Sequence, residues 1–185
     1  FDRQREPGRC FLADHTGDAQ PIQLGHLGIP FPASVAQAGD YSVNFLGGGL
    51  AEVMAEIRKD IVFYDQSGGG ATFSGGEPLM QADFLVALLD ACRAEGIHTA
   101  VDTTCYAQAD TLRRVAEVTD LFLCDIKHMN SELHGQFTGI PNDRILENIR
   151  MVAEAGKRIF IRVPIIPGFN SDRTNIERTA QFVRS

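Results

Sequence analysis

The sequence predicts an α/β fold built on one parallel sheet. Three observations lead there. Four short apolar runs, "GATFS", "HTAVDT", "LFLCDI" and "RIFIRVPII", read as strands. Segments with helical apolar spacing separate them, which makes right-handed βαβ units. The first three strands each end in polar or charged residues, namely Glu77, Asp102, and Asp125 with Lys127. In parallel α/β folds, ligands bind at that C-terminal edge.

Residues 1–48 hold "REPG", "HTGD", "LGIPFP" and "LGGG" without a sustained apolar period, and read as an irregular arm. Residues 49–185 form the expected folded unit. Leu50, Val53, Met54, Ile57 and Ile61 follow helical spacing and predict a helix over 50–65. The strand "GATFS" comes next. The helix over 82–95 turns Phe84, Leu85, Leu88, Leu89 and Cys92 inward and stops at Gly96. After "HTAVDT", a helix over 110–118 buries Leu112, Val115 and Ala116. After "LFLCDI" come a short helix over 131–137 and a longer one over 143–155. The longer one carries Ile145, Ile149 and Val152 inward and stops at Gly156. "RIFIRVPII" is the fourth strand, and 172–184 is the last helix.

The 185 residues suffice for one sizeable core, and 44% hydrophobic with 22% charged residues is ordinary for a soluble protein. No run of eighteen apolar residues exists, so no membrane span is expected, and no signal peptide pattern is visible. The net charge of -7 without a Lys/Arg cluster argues against nucleic acid as the main partner. The first residue is Phe1, and the last helical pattern stops without a cap, so the expectation is a chain with structure missing at both ends. Cys10, Cys92, Cys105 and Cys124 lie no closer than thirteen residues apart, and no CxxC spacing exists. The plainest reading is buried free thiols in a reducing cytoplasm, and it is the stronger one for Cys92 and Cys124. His15, His26, His98, His128 and His134 read as solvated or hydrogen-bonded structural residues.

In "SGGEP", paired glycines let backbone approach a ligand closely, and Glu77 adds an acceptor. Carbonyls and a carboxylate suit an ammonium group. The same residues also suit a tight turn capping helix 82–95, with Pro78 opening it. In "DIK", Asp125 and Lys127 alternate by two and share one strand face. Lys127 can meet a ligand carboxylate or pair with Asp125. Asp102 can accept from a ligand, hold a cation with Thr103, or cap the next loop. Taken together these groups describe a site for a zwitterion, such as an amino acid or a cofactor containing one.

The stretches "IRKDIVFYDQSGGGATFSGGEPLMQADFLVALLDACRAEGIHTAVDTTCYA" and "DLFLCDIKHMNSELHGQFTGIPNDRILENIRMVAEAGKRIFIRVPIIPGFN" closely resemble the glycyl-radical enzyme activating proteins. These are radical S-adenosylmethionine (SAM) enzymes related to pyruvate formate-lyase activase. The resemblance covers roughly residues 50–185 and implies a partial (β/α) barrel. It implies a [4Fe-4S] cluster that reductively cleaves SAM, and a 5′-deoxyadenosyl radical that takes a glycine hydrogen from a partner glycyl-radical enzyme. An electron donor such as flavodoxin or ferredoxin is implied as well. By the same resemblance, Gly75, Gly76 and Glu77 hold the methionine part of SAM. Asp102 ends the next strand, Asp125, Ile126 and Lys127 lie along the cofactor, and Arg162 lines the cavity.

The chain departs from the family in its cluster loop, and the family's late histidine near the cofactor would lie beyond Ser185. The CxxxCxxC loop that ligates the cluster is absent, and Cys10 is the only cysteine before Cys92. "GRCFLADHTGDAQ" and "FPASVAQ" faintly resemble a remnant of the ferredoxin-like insert of some members. Two readings follow from the resemblance: an activating enzyme, or a non-catalytic remnant that binds the partner or the cofactor without a cluster. An unrelated α/β enzyme binding an amino acid is a third.

Overall fold

The computed structural model describes residues 9–11 and 43–185, with side chains from residue 49 onward. Five parallel strands form one sheet in sequential order: β1 (Arg9–Phe11), β2 (Gly70–Phe73), β3 (His98–Thr103), β4 (Leu121–Asp125) and β5 (Arg158–Arg162). The helices are α1 (Val43–Ile57), α2 (Ile61–Ser67), α3 (Ala82–Ala94), α4 (Ala109–Val118), α5 (Ser131–Thr138), α6 (Asp143–Glu154) and α7 (Arg173–Arg184). Among the described residues, no helix is long and apolar enough to cross a membrane.

Parallel neighbours in strict sequence order require every crossover on the same side of the sheet, because each crossover is right-handed. The strand burial follows. Thr99, Val101 and Thr103 of β3 and Phe122 and Cys124 of β4 are buried on the face that the helices cover. Helices α1, α3, α4 and α6 pack in a row there. On the other face, Asp102, Leu121, Leu123, Asp125 and Arg162 are half-buried, and Phe160 of β5 is 54% exposed. A sheet with one covered and one open face is the part-closed (β/α) barrel that the sequence resemblance implies.

The core matches the helical spacing. Val53, Met54 and Ile57 of α1 are buried, with Leu50 and Ile61 packed against them. In α3, Phe84, Leu85, Leu88, Leu89 and Cys92 are all buried. Each such side chain contributes about 1.5–3 kcal/mol as an upper bound. Leu112, Val115 and Ala116 of α4 and Ile145, Ile149 and Val152 of α6 complete the layer.

Four expectations need correction. The arm over 1–48 was expected to be irregular, yet Arg9–Phe11 pairs in parallel with Gly70–Thr72 at the sheet edge. The rest of the arm up to residue 42 lies outside the described residues. The first helix starts at Val43 and not at Leu50, through Gly47, Gly48 and Gly49. Glycine lowers helix propensity by about 1 kcal/mol per residue, but an established helix propagates with one hydrogen bond per residue. The expected helix 50–65 is interrupted by a 3₁₀ turn at Arg58–Asp60, and the second piece runs to Ser67. The last strand stops at Arg162, where Pro164 has no N–H for the ladder.

Gly70 shows why "GGG" precedes the first long strand. A Cβ at Gly70 would lie 1.8 Å from the His98 carbonyl oxygen and 2.6 Å from its carbon. Only glycine permits that approach of β2 to β3.

Candidate functional site

β2 ends at Phe73, and the chain turns back through Gly75 (φ +107°) and Gly76 (φ +49°). Both dihedrals lie where side chains are disfavoured, so the backbone path itself requires this glycine pair. A Cβ at Gly76 would meet nothing within 4 Å, so its conformation, and not its packing, demands the residue. The turn delivers Glu77 to the end of β3. Glu77 caps the 3₁₀ turn Pro78–Gln81, where its Oε1 accepts from the Leu79 N–H at 3.2 Å. The same oxygen accepts from the Thr103 hydroxyl. Oε2 accepts from the Thr104 N–H at 2.9 Å and from the Thr104 hydroxyl.

Glu77 therefore fills the capping role and also sits at the C-terminal edge of the sheet. A carboxylate offers about four lone-pair positions, and four donors already occupy them. An incoming ammonium has to share an oxygen with a threonine hydroxyl or displace it. All four donors are neutral, and among the described residues no cation lies within ion-pair distance of Glu77. Its charge is solvated but not neutralised.

The second group lies on the open sheet face. Asp102 of β3, Asp125 of β4 and Arg162 of β5 share that face, since Asp125 and Arg162 are register partners. The Arg162 guanidinium grips Asp102 with both terminal nitrogens, one at 2.9 Å. Its Nε donates to Asp125 Oδ1 at 2.9 Å, and Nη2 lies 2.8 Å from the same oxygen. Burial pulls the Arg162 pKa down, but the Asp102 hydrogen bonds and the charges of Asp125 and Asp102 outweigh it, and the net shift is upward. Lys127 Nζ donates to Asp125 Oδ2 at 2.7 Å. Its side chain is 32% exposed, and one bond uses one of three ammonium donors. Lys127 thus pairs with Asp125 and keeps donors for an anion. Ile126, between them, is buried in the core, and its N–H donates to the Arg162 carbonyl at 2.9 Å.

Asp102, Asp125 and Lys127 are thus brought together, with Arg162 as the connection. Glu77 forms a separate cluster through Thr103, the residue after Asp102 on the opposite strand face. The sequence reading put Arg162 beside the cavity but missed its bridging role. The signal was there: with the strand ends aligned, the arginine of "RIFIR" falls opposite the aspartate of "DIK".

Beneath this edge sit two thiols. Cys105 is fully buried with φ +60°, and its Sγ lies 3.1 Å from Cys124 Sγ. The Cys124 contact, burial and the nearby charges of Glu77 and Asp125 push the Cys105 thiol well up. A metal ligand at this position would have to lose that proton. Among the described residues, no group of three Cys, His, Asp or Glu side chains could hold a metal ion. These residues do not fit a [4Fe-4S] cluster, which needs closely spaced thiolates. His128 is buried, and its Nδ1 accepts from the Asn130 N–H at 2.9 Å. His134 is buried with Nδ1 at 2.6 Å from the Ile140 carbonyl. Both have structural places.

The sequence profile of the radical SAM superfamily matches residues 41–183. A solved domain of pyruvate-formate lyase-activating enzyme from Bacteroides vulgatus is 47% identical with a TM-score of 0.59. That match covers 63% of this chain and 73% of the solved one. The chain belongs to the radical SAM superfamily, in the group of the glycyl-radical enzyme activating proteins. Curated relatives agree. The (2S)-3-sulfopropanediol dehydratase activating enzyme of Klebsiella oxytoca is 46% identical over 134 residues, covering 72% of this chain and 42% of that protein. The isethionate sulfite-lyase activating enzyme of Desulfovibrio desulfuricans is 47% identical over 138 residues, covering 74% and 44%. This radical SAM chain thus spans about two-fifths of the length of these curated relatives. Its family is thus the radical SAM superfamily, and its described residues lack a group of ligands that could hold a metal ion.

Proposed function

We propose that this chain is the cofactor-cradling part of a glycyl-radical enzyme activating protein, and that by itself it binds SAM and a glycyl-radical partner without holding a cluster. The carrying observation is the charge layout of the sheet edge. Lys127 keeps donors to spare beside its partner Asp125, and among the described residues no cation balances the charge of Glu77. That layout suits the carboxylate and the ammonium of a methionine group. Gly75, Gly76 and Glu77 would meet the ammonium. Lys127 would take the carboxylate, Asp102 and Asp125 would line its flank, and Ile126, whose side chain lies in the core, would contribute backbone alone. The relatives' names, activating enzymes of a dehydratase and of a lyase, support an enzyme as partner, and the buried cysteines suit a reducing cytoplasm.

Radical generation, the activity of a whole activating enzyme, is the second reading, favoured by the high identity to such enzymes. SAM supplies one-electron cleavage chemistry only on a reduced cluster. The described residues contribute binding and orientation alone, so thiolates and an electron donor such as flavodoxin or ferredoxin would have to come from elsewhere.

Calorimetric titration of SAM into the chain, and into Lys127→Ala and His128→Ala, tests the proposal. Loss of a charge-assisted hydrogen bond costs about 1.5–3 kcal/mol, which weakens binding on the order of ten- to a hundredfold in Lys127→Ala. His128→Ala should change affinity far less, because its Nδ1 is committed to the Asn130 backbone. No detectable binding by the unaltered chain, or equal losses in the two variants, would sink the reading.

A further inference from the structure

Three buried asparagines hold the segment that follows β4. The Lys127 carbonyl accepts from Asn170 Nδ2 at 2.7 Å. The His128 carbonyl accepts from Asn142 Nδ2 at 2.7 Å. The Met129 N–H donates to Asn175 Oδ1 at 2.8 Å. Three consecutive residues are thus fixed from three places: the loop after β5, the residue before α6, and the first turn of α7. All three asparagines are buried.

Asn170 is the centre of this arrangement. It is fully buried, and both amide hydrogens and the amide oxygen have partners. Nδ2 donates also to the Pro164 carbonyl at 2.8 Å, and Oδ1 accepts from the Ile166 N–H at 2.7 Å. One planar carboxamide, with two donors and an acceptor, ties the end of "DIK" to the loop beyond β5. Asn175 Nδ2 donates to the Asn170 carbonyl at 3.0 Å and locks the two holders together. No aspartate could replace Asn170, since a carboxylate would face two carbonyl oxygens with no hydrogen to offer.

We propose that Asn170 is a positioning residue for Lys127. It fixes the backbone where Lys127 leaves the strand, and so keeps the ammonium against Asp125 at the open sheet face. The interest of Lys127 rests on the cofactor reading above, but its placement is measurable without any ligand.

The chain contains just three lysines, Lys59, Lys127 and Lys157, which makes amine footprinting clean. Trace acetylation with an N-hydroxysuccinimide ester, read by mass spectrometry, gives a rate at each. Lys59 is well exposed and serves as the reference. Lys157 donates to the Thr119 carbonyl at 3.2 Å, at the opposite end of the sheet, and reports general loosening. In Asn170→Ala, the Lys127 rate should rise relative to Lys59 on the order of three- to tenfold, the shift that loss of about one buried hydrogen bond brings. The Lys157 ratio should stay constant. Asp125→Asn should raise the Lys127 rate similarly, and the double variant should add little, because both release the same ammonium.

An unchanged Lys127 rate, or a Lys157 rate that climbs in step, would overturn the proposal in favour of a purely structural asparagine. If Asn170→Ala does not fold, Asn175→Ala must give the same pattern at smaller size, and a flat ratio there overturns it equally. Calorimetry separates the two ideas. Absent SAM binding with the footprint as expected removes the cofactor reading alone. A flat footprint with Lys127-dependent binding removes the positioning role alone.

Discussion

Replacing Arg162 by methionine removes the bridge between the two aspartates. The guanidinium meets Asp102 through two nitrogens and Asp125 through two. Breaking a fully buried ion pair costs about 3–5 kcal/mol, whereas an exposed pair contributes about 0–1 kcal/mol. This cluster lies between those limits. The Arg162 side chain is 41% exposed, and those of Asp102 and Asp125 are 20% and 18% exposed. An intermediate cost of about 2 kcal/mol follows, or a fall of about 4–8 °C in Tm for a chain of this size. Arg162→Lys should recover about half, because it keeps the charge but cannot grip two carboxylates in one plane. The decisive comparison uses Asp102→Asn in both backgrounds, followed by guanidinium denaturation. With Arg162 present, Asp102→Asn should destabilise. With Met at 162, it should be neutral or stabilising, because it removes a carboxylate that has lost its partner. Equal effects in both backgrounds would mean that the bridge contributes nothing and that the aspartates are held by other contacts.

Gly70→Ala should destabilise by about 3 kcal/mol or more, since its Cβ would collide with the His98 backbone and neither strand can move aside; thermal melts would show it, and a loss below about 1 kcal/mol would contradict the strand spacing. Burial lowers the His128 pKa below its usual 6.5. The unfolded chain therefore binds the extra proton first, and the stability tied to this group is complete above pH 6.5 and lost as pH falls through the folded value. The stability difference between the protein and His128→Gln should shrink on acidification, and a constant difference across that range would refute this. Cys92, Cys105 and Cys124 should resist a soluble disulfide reagent in the native state and react promptly in denaturant; the raised Cys105 pKa adds stability that is lost as pH rises above about 9. Anaerobic iron and sulfide reconstitution should give well under one cluster per chain, since no two of the four cysteines lie closer than thirteen residues in sequence, and a stoichiometric EPR-active cluster would show that the ligand argument fails.

Much of the fold was legible because burial is periodic. Helices α3, α4 and α6 each expose one face, and their apolar positions announce both type and orientation. Strands β3 and β4 are short, apolar and bounded by polar ends. The break at Arg58–Asp60 was not legible, since Ile57 and Ile61 keep the helical period across it while the backbone tightens locally. The strand Arg9–Phe11 lacks a local signal of its own, because three residues carry no period.

The candidate site was legible by residue type and illegible by partner. Glu77, Asp102, Asp125 and Lys127 stand out because charge at a strand end is costly unless something uses it. Which group satisfies which depends on register, and register is set by pairings across 37 to 60 residues. The asparagine clamp shows this most clearly. Asn142, Asn170 and Asn175 lie near helix starts and turns, where asparagine is expected for local reasons, so nothing marks them as long-range ties.

The two clusters at the edge differ in a way that bears on what can bind. Around Arg162, two carboxylates face two cations, so the group is neutral as a whole and rigid through bidentate contacts. An anion arriving at Lys127 meets a cation already paired on one side, and adds to a local balance of zero. Around Glu77 the balance among the described residues is -1, because only hydroxyls and backbone N–H groups of those residues donate to it. A cation arriving there is attracted without breaking an existing ion pair. A ligand that carries both charges a short distance apart can address both clusters and bring no net charge of its own. Simple anions gain at one cluster while facing the uncompensated charge of the other, and simple cations meet the reverse at Arg162 and Lys127. On the proposed reading, the edge would favour zwitterions through the difference between its halves, more than through the strength of either.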